Sequence, residues 1–194
     1  QTEREANTLT PQHIYLTGDT HGSFDRIYTF CQTQQTTRQD LLIILGDAGI
    51  NYYGSKKDAL LKQVLSELPL TIFCVHGNHE QRPTAKKGYE EQFFCGGIVL
   101  VQPEYPKAKV ESVLEKWNWQ VDIVLSHTCP LRYEPTEVFL PFIDQSKVDK
   151  STESWLGQIE SRLRYQRWYC GHYHVTKQID DLRFLFEDYL ILGE

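Results

Sequence analysis

His13-Ile14-Tyr15-Leu16-Thr17-Gly18-Asp19-Thr20-His21-Gly22 is an apolar, β-rich run that ends abruptly in a turn carrying an aspartate and a histidine. The arrangement recurs along the chain. Leu41 to Leu45 runs into Gly46-Asp47-Ala48-Gly49, and Leu70 to Val75 leads to Gly77-Asn78-His79-Glu80. Val121 to Leu125 leads to Ser126-His127, and the strand-like Arg167 to Cys170 runs into Gly171-His172-Tyr173-His174. Open α/β sheets bind ligands outside the carboxyl ends of their strands. Five clusters at five strand ends can therefore converge on one crevice.

The segments between these runs carry helical periodicity. Phe24, Ile27, Tyr28 and Cys31 follow Ser23, a good N-cap, at helical spacing. Leu60, Leu61, Val64, Leu65 and Leu68 follow Ser55, and Pro69 closes that helix. Further helices are expected near Lys109 to Trp117 and Trp155 to Tyr165, and a further strand over Leu182 to Phe186. The continuous apolar character of the second and third strands suits a sheet covered on both faces. The reading is an α/β domain with a largely parallel first sheet. Cys129 to Lys150, with three prolines and exposed-looking Tyr133, Phe139 and Phe142, is expected as a long ordered loop.

Composition narrows the class. A chain of 194 residues fits one domain, residues 1–194, with a sizeable core. No apolar run approaches the roughly 20 residues of a membrane span. The polar stretch Gln1 to Pro11 lacks the apolar centre of a secretion signal, so the cytoplasm is the expected location. A formal charge of −6 argues against a broad basic surface for nucleic acid. The five cysteines form no C-x-x-C pair and are expected as buried reduced thiols.

The residue types at the strand ends are metal ligands. Residues two apart in an extended segment share a face, which would point Asp19 with His21, and His172 with His174, into the crevice. Imidazole, carboxylate and carboxamide oxygen suit Mn, Fe, Zn or similar ions rather than a thiolate site. Two divalent cations would outweigh Asp19 and Asp47 and attract a phosphate ester even in an acidic protein. His13, Trp117, Trp119 and the pairs Lys56-Lys57 and Lys86-Lys87 are read as structural or solvated.

D-x-H, G-D, G-N-H-E, a lone histidine after a strand, and G-H-x-H together resemble the calcineurin-like metallophosphoesterases, from Gly18 to His174. The resemblance implies a four-layer α/β/β/α sandwich with two mixed β-sheets. It also implies a dinuclear enzyme that hydrolyses phosphate mono- or diesters by attack of a metal-bridging hydroxide. Asp19, His21 and His174 would hold the first ion, Asp47 would bridge, and Asn78, His127 and His172 would hold the second. The ions would be Mn²⁺ first, with Fe, Zn, Ni or Mg as alternatives. His79 would serve the leaving group as general acid or charge stabiliser.

Members of the family that act on phosphoproteins carry G-D-x-x-D-R-G at the second motif. Here Ile50 stands for the second aspartate and Asn51 for the arginine, which weakens the case for a protein phosphatase. Arg82, just after the third motif, is a candidate to replace that arginine or a surface residue. Alternatives on the same fold are a small nuclease or cyclic-nucleotide phosphodiesterase, or a binding module without activity. The chain has no methionine, and the interval from Glu80 to His127 is short for the family. Both features lead to the expectation of a discontinuity between Tyr105 and Lys109.

Overall fold

The strand Leu41–Ile44 is buried at every position, so its two faces must meet different partners. Leu42 and Ile44 pack with Tyr15, Ile27, Cys31 and Leu65. Leu41, Ile43 and Leu45 turn the other way, toward Leu16, Tyr169 and Leu185. This alternation is the period of two that a pleated strand imposes. Burying each such side chain contributes about 1.5–3 kcal/mol.

The computed structural model describes residues 10–81, 92–94, 97–99 and 107–193. These form an α/β fold of two mixed four-stranded sheets, a two-stranded hairpin and four α-helices. In the first sheet β1 (Ile14–Thr17), β2 (Leu41–Ile44) and β3 (Thr71–Cys74) are parallel, and β10 (Tyr189–Ile191) pairs antiparallel with β1. Helices α1 (Asp25–Gln34) and α2 (Lys56–Glu67) make the crossovers. In the second sheet β6 (Ile123–Leu125), β7 (Arg167–Cys170) and β9 (Leu182–Phe184) are parallel, with β8 (Lys177–Ile179) antiparallel to β9. The hairpin joins β4 (Gln92–Phe94) and β5 (Gly97–Val99), and α3 (Lys107–Lys116) precedes β6.

Three apolar layers separate these elements. The first lies between one sheet face and helices α1 and α2. The second joins the two sheets. The third places Trp168, Cys170, Leu182 and Phe184 against Leu156 and Ile159 of α4 (Ser151–Glu160). Packed layers of sheet and helix around such apolar cores are what an α/β fold requires.

Local details depart from the sequence reading. Ser23 does not cap α1; Phe24 occupies that position without a side-chain bond, and the Ser23 N–H donates to the Thr20 carbonyl. The chain turns there to aim His21, which takes Ser23 out of the cap. Ser55 does cap α2, accepting the Lys57 N–H. Leu60 and Val64 of α2 are exposed, because the sheet seats one face of the helix, that of Leu65 and Leu68. Tyr133 is buried in the third layer, whereas Phe142 is exposed as expected. Trp119 packs beneath the Arg162 guanidinium, but Trp117 is exposed.

Cys129 to Lys150 is an ordered connection of three short 3-10 turns, at Leu131–Tyr133, Thr136–Val138 and Gln145–Lys147. Cys31, Cys74, Cys129 and Cys170 are free thiols. Arg82, Lys86, Lys87, Cys95 and the expected discontinuity up to Pro106 lie outside the described residues, while Lys107 to Lys109 open α3.

Candidate metal centre

Asp19, one residue past the Gly18 that follows β1, is buried at 2% exposure. Its Oδ1 accepts the backbone N–H of His172 at 2.9 Å. Its Oδ2 is buried with no hydrogen-bond partner. Around that oxygen stand His174 Nε2 at 3.4 Å and His21 Nε2 at 3.7 Å, and the two imidazole nitrogens are 2.9 Å apart.

Asp47, three residues past β2, repeats the design. It is 1% exposed, and its Oδ1 accepts the His79 N–H at 2.9 Å. Its Oδ2 is likewise buried and unpartnered, with His127 Nε2 at 3.4 Å. An unsatisfied buried carboxylate oxygen is costly. Two of them in one crevice, each facing imidazoles, are the signature of a site shaped for cations.

His127 shows that the crevice calls for positive charge. Its Nδ1 lies 2.9 Å from the Leu45 carbonyl oxygen and must donate there, so the neutral ring presents a lone pair at Nε2. That lone pair meets Asn78 Oδ1 at 2.8 Å and Asp47 Oδ2 at 3.4 Å. Three electron-rich atoms facing one another call for a positive charge between them. Without a metal, burial works to depress the His127 pKa, but the Asp47 and Asp19 carboxylates hold it above the ordinary value. Burial and the neighbouring His127 push His172 down to about 4, and burial lowers His21. Neutral imidazoles are the form that binds metal.

The sequence-predicted residues thus come together in two groups. Asp19, His21 and His174 form one, and Asp47, His127 and His172 the other, with ligand atoms in each group within 4.8 Å of one another. Asn78 joins the second through His127. The two groups abut, since His127 Nδ1 is 4.0 Å from Asp19 Oδ1. His13 stays outside, paired with Asp40 at 2.8 Å as a structural residue.

The means of convergence differs from the expectation. Asp19–His21 and His172–His174 are not extended segments. His21, Asp47, His172 and His174 all have positive φ, between 48° and 73°. Such conformations cost non-glycine residues of order 1–3 kcal/mol and cluster where function requires them. Two glycines make the necessary room. A Cβ at Gly77 would lie 1.9 Å from Asp47 Oδ1, and one at Gly171 would lie 2.4 Å from Asp19 Oδ1.

The chain belongs to the calcineurin-like phosphoesterase family, whose model matches residues 12–176. That span covers every residue of both groups. Comparison with curated proteins gives no match. Family and site together support a metal-dependent phosphoesterase using divalent ions. No described helix of this calcineurin-like phosphoesterase is long and apolar enough to cross a membrane.

Supporting residues escaped the sequence reading. Half-buried Glu80, its pKa raised by that burial, accepts the Gly49 N–H at 3.0 Å and ties the third motif to the second. Its place directly after Asn78 and His79 was the available signal. Arg26 donates to the Gly18 and Asp19 carbonyls, both at 3.0 Å, from within α1. Nothing in the sequence distinguishes it from a solvated helix arginine.

A cavity of about 230 Å³ opens beside the metal centre, lined by His21, Asp47, Gly49, Tyr52, Tyr53 and His79. A larger one, about 480 Å³, is lined by Trp117, Asp122, Arg164 and others, and contains no residue of the centre. Its size alone does not make it the site.

Proposed function

We propose that this single domain, residues 1–194, is a dinuclear metal-dependent phosphoesterase acting on phosphate mono- or diesters. The observation that carries the reading is the pair of buried, unpartnered oxygens, Asp19 Oδ2 and Asp47 Oδ2, each faced by imidazole nitrogens. Asp19, His21 and His174 would hold one ion, and Asp47, Asn78, His127 and His172 the other. The softness of this donor set suits Mn²⁺, Fe, Zn or Ni better than Mg²⁺. Two such ions would lower the pKa of a water and neutralise charge on the ester oxygens.

The chain's own groups do the rest. Hydrogen bonds from His172 and His79 N–H fix the orientation of both aspartates before any ligand arrives. The His79 ring borders the cavity, edge-on to His21 at 5.7 Å between centroids. From there it would donate a proton to the departing oxygen or stabilise its charge. Ile50 and Asn51 replace the second aspartate and arginine of the phosphoprotein-directed pattern. Asn51 is buried and accepts the Lys62 Nζ at 2.7 Å, so it serves the fold and offers no clamp for a phosphate.

Metal analysis and a substrate panel test this together. The expected result is two equivalents of divalent ion per chain and turnover on some member of a monoester, diester and dinucleotide set after Mn²⁺ reconstitution. One equivalent or none, with wild-type folding retained, would end the dinuclear reading.

A further inference from the structure

Tyr52 and Tyr53 are both substantially exposed, at 52% and 45%. Exposed tyrosines on a loose loop would mean little, but this loop is held at each end. Buried Asp58 accepts the Tyr53 N–H at 3.0 Å and the Gly54 N–H at 2.7 Å through its two carboxylate oxygens. The Asn51 carbonyl accepts the Gln81 N–H at 2.8 Å, which fastens the loop to the segment that carries Asn78 and His79. The two rings meet edge-to-face at 4.9 Å, and the Lys57 Nζ covers Tyr53 at 3.8 Å. Tyr52 stands between that pair and the site, 6.5 Å from the His79 ring.

The cavity, about 230 Å³, is larger than a phosphate group alone, and Tyr52 and Tyr53 form part of its wall. The substituent of a phosphate held beside Asp47 and His79 would therefore lie against an anchored aromatic wall. Fixed aromatic rings contribute stacking area at little entropic cost.

The geometry points to Tyr52 as an aromatic platform that selects phosphate esters carrying a planar ring, a nucleobase or an aryl group. This inference rests on the phosphoesterase reading for the position of the phosphate. Tyr53, backed by Lys57, holds Tyr52 upright. Stacking of a base on an aromatic side chain is worth roughly 5- to 150-fold in affinity, with little dependence on which base it is. The site would therefore prefer nucleoside-type esters as a class, without reading base identity.

Calorimetry on the Mn²⁺-loaded protein tests this with a nucleoside 5′-monophosphate, phenyl phosphate and ribose 5-phosphate. The nucleotide is expected to bind at least about 5-fold tighter than ribose 5-phosphate. That ratio should collapse toward one in Tyr52→Ala and survive in Tyr52→Phe. Phenyl phosphate separates the sources: affinity matching the nucleotide indicates a general aryl platform, and weaker binding a platform sized for a base. Equal affinities in the wild type, or a ratio unmoved by Tyr52→Ala, would overturn the inference. Failure of the phosphoesterase reading is separate, because it appears as absent turnover on every ester while the binding ratio stays measurable.

Discussion

Gly77→Ala tests the metal centre through a single methyl group. Gly77 does not need a positive φ, so alanine adopts its backbone without strain. Space is what it lacks. The new Cβ would lie 1.9 Å from Asp47 Oδ1 and 2.3 Å from Asp47 N. A relaxed contact needs about 3.5 Å, so something must move by roughly 1.5 Å. The Asp47 backbone resists, because its carbonyl accepts the Thr20 and His21 N–H groups at 3.2 and 2.8 Å. The carboxylate therefore swings away, the Gly77 segment is pushed off the Asp47 N, and the His79 N–H bond to Oδ1 is lost. Overpacking costs about 1–3 kcal/mol and a charged hydrogen bond about 1.5–3 kcal/mol, the two overlapping in part. A net loss of about 3 kcal/mol lowers Tm by roughly 6–12 °C in a chain this size.

Displacing a ligand from its supporting partner also lowers metal affinity about 10- to 100-fold. Thermal melts and Mn²⁺ titration calorimetry measure the two effects. Gly157→Ala is the internal control. It sits inside α4, and its Cβ would find only the Leu131 N at 3.9 Å. Alanine there should stabilise by about 0.5–1 kcal/mol and leave metal binding unchanged. Native Tm and native Mn²⁺ affinity in Gly77→Ala would show that Gly77 does not cradle the Asp47 carboxylate.

Two further outcomes are expected. His79→Ala should retain both ions yet lose turnover on the order of 10²–10⁴-fold, and full activity on an ester with a poor leaving group would refute the assigned role. Asp40 gives a pH signature. Burial alone would raise its pKa, but the Thr37 N–H, Thr37 hydroxyl and His13 ring hold it below the ordinary value. A carboxylate with a depressed folded pKa contributes stability above its unfolded pKa of about 3.9 and loses it as pH falls through the folded value. Asp40→Asn should therefore melt about 2 kcal/mol less stably at pH 6, with the gap closing below about pH 4. A gap that is constant with pH would assign the effect to packing.

Strand positions and the polar clusters at their ends were legible because both are written locally. β7 falls on Arg167–Cys170 as read, and β2 ends one residue short of the expected Leu45. The aspartates and histidines were visible as polar residues placed where apolar strands stop. What the sequence concealed was the backbone that aims them. Left-handed conformations at His21, Asp47, His172 and His174 have only a weak signature in residue type, since none of the four is glycine and aspartate and histidine adopt positive φ only somewhat more often than other residues. Burial of Tyr133 and exposure of Leu60 were equally hidden, because they depend on which neighbour reaches them.

The hidden part has a common physical form: three of the site's side chains are oriented by a residue from a different strand end. Asp19, in the first sheet's loop, is held by the N–H of His172 in the second sheet's loop. Asp47 is held by the N–H of His79, and His127 by the carbonyl of Leu45. None of these bonds forms within one segment, and two of the three cross between the sheets. The strained φ values therefore persist only once both sheets have docked through Leu16, Ile43, Leu45, Tyr169 and Leu185. Sheet docking and site assembly become one event, in which the inter-sheet core supplies the free energy that holds two unpartnered carboxylate oxygens together. A ligand set that stays spread apart in the unfolded chain and converges only in the folded one binds its cations almost entirely in the native state. Metal affinity is then added to folding stability.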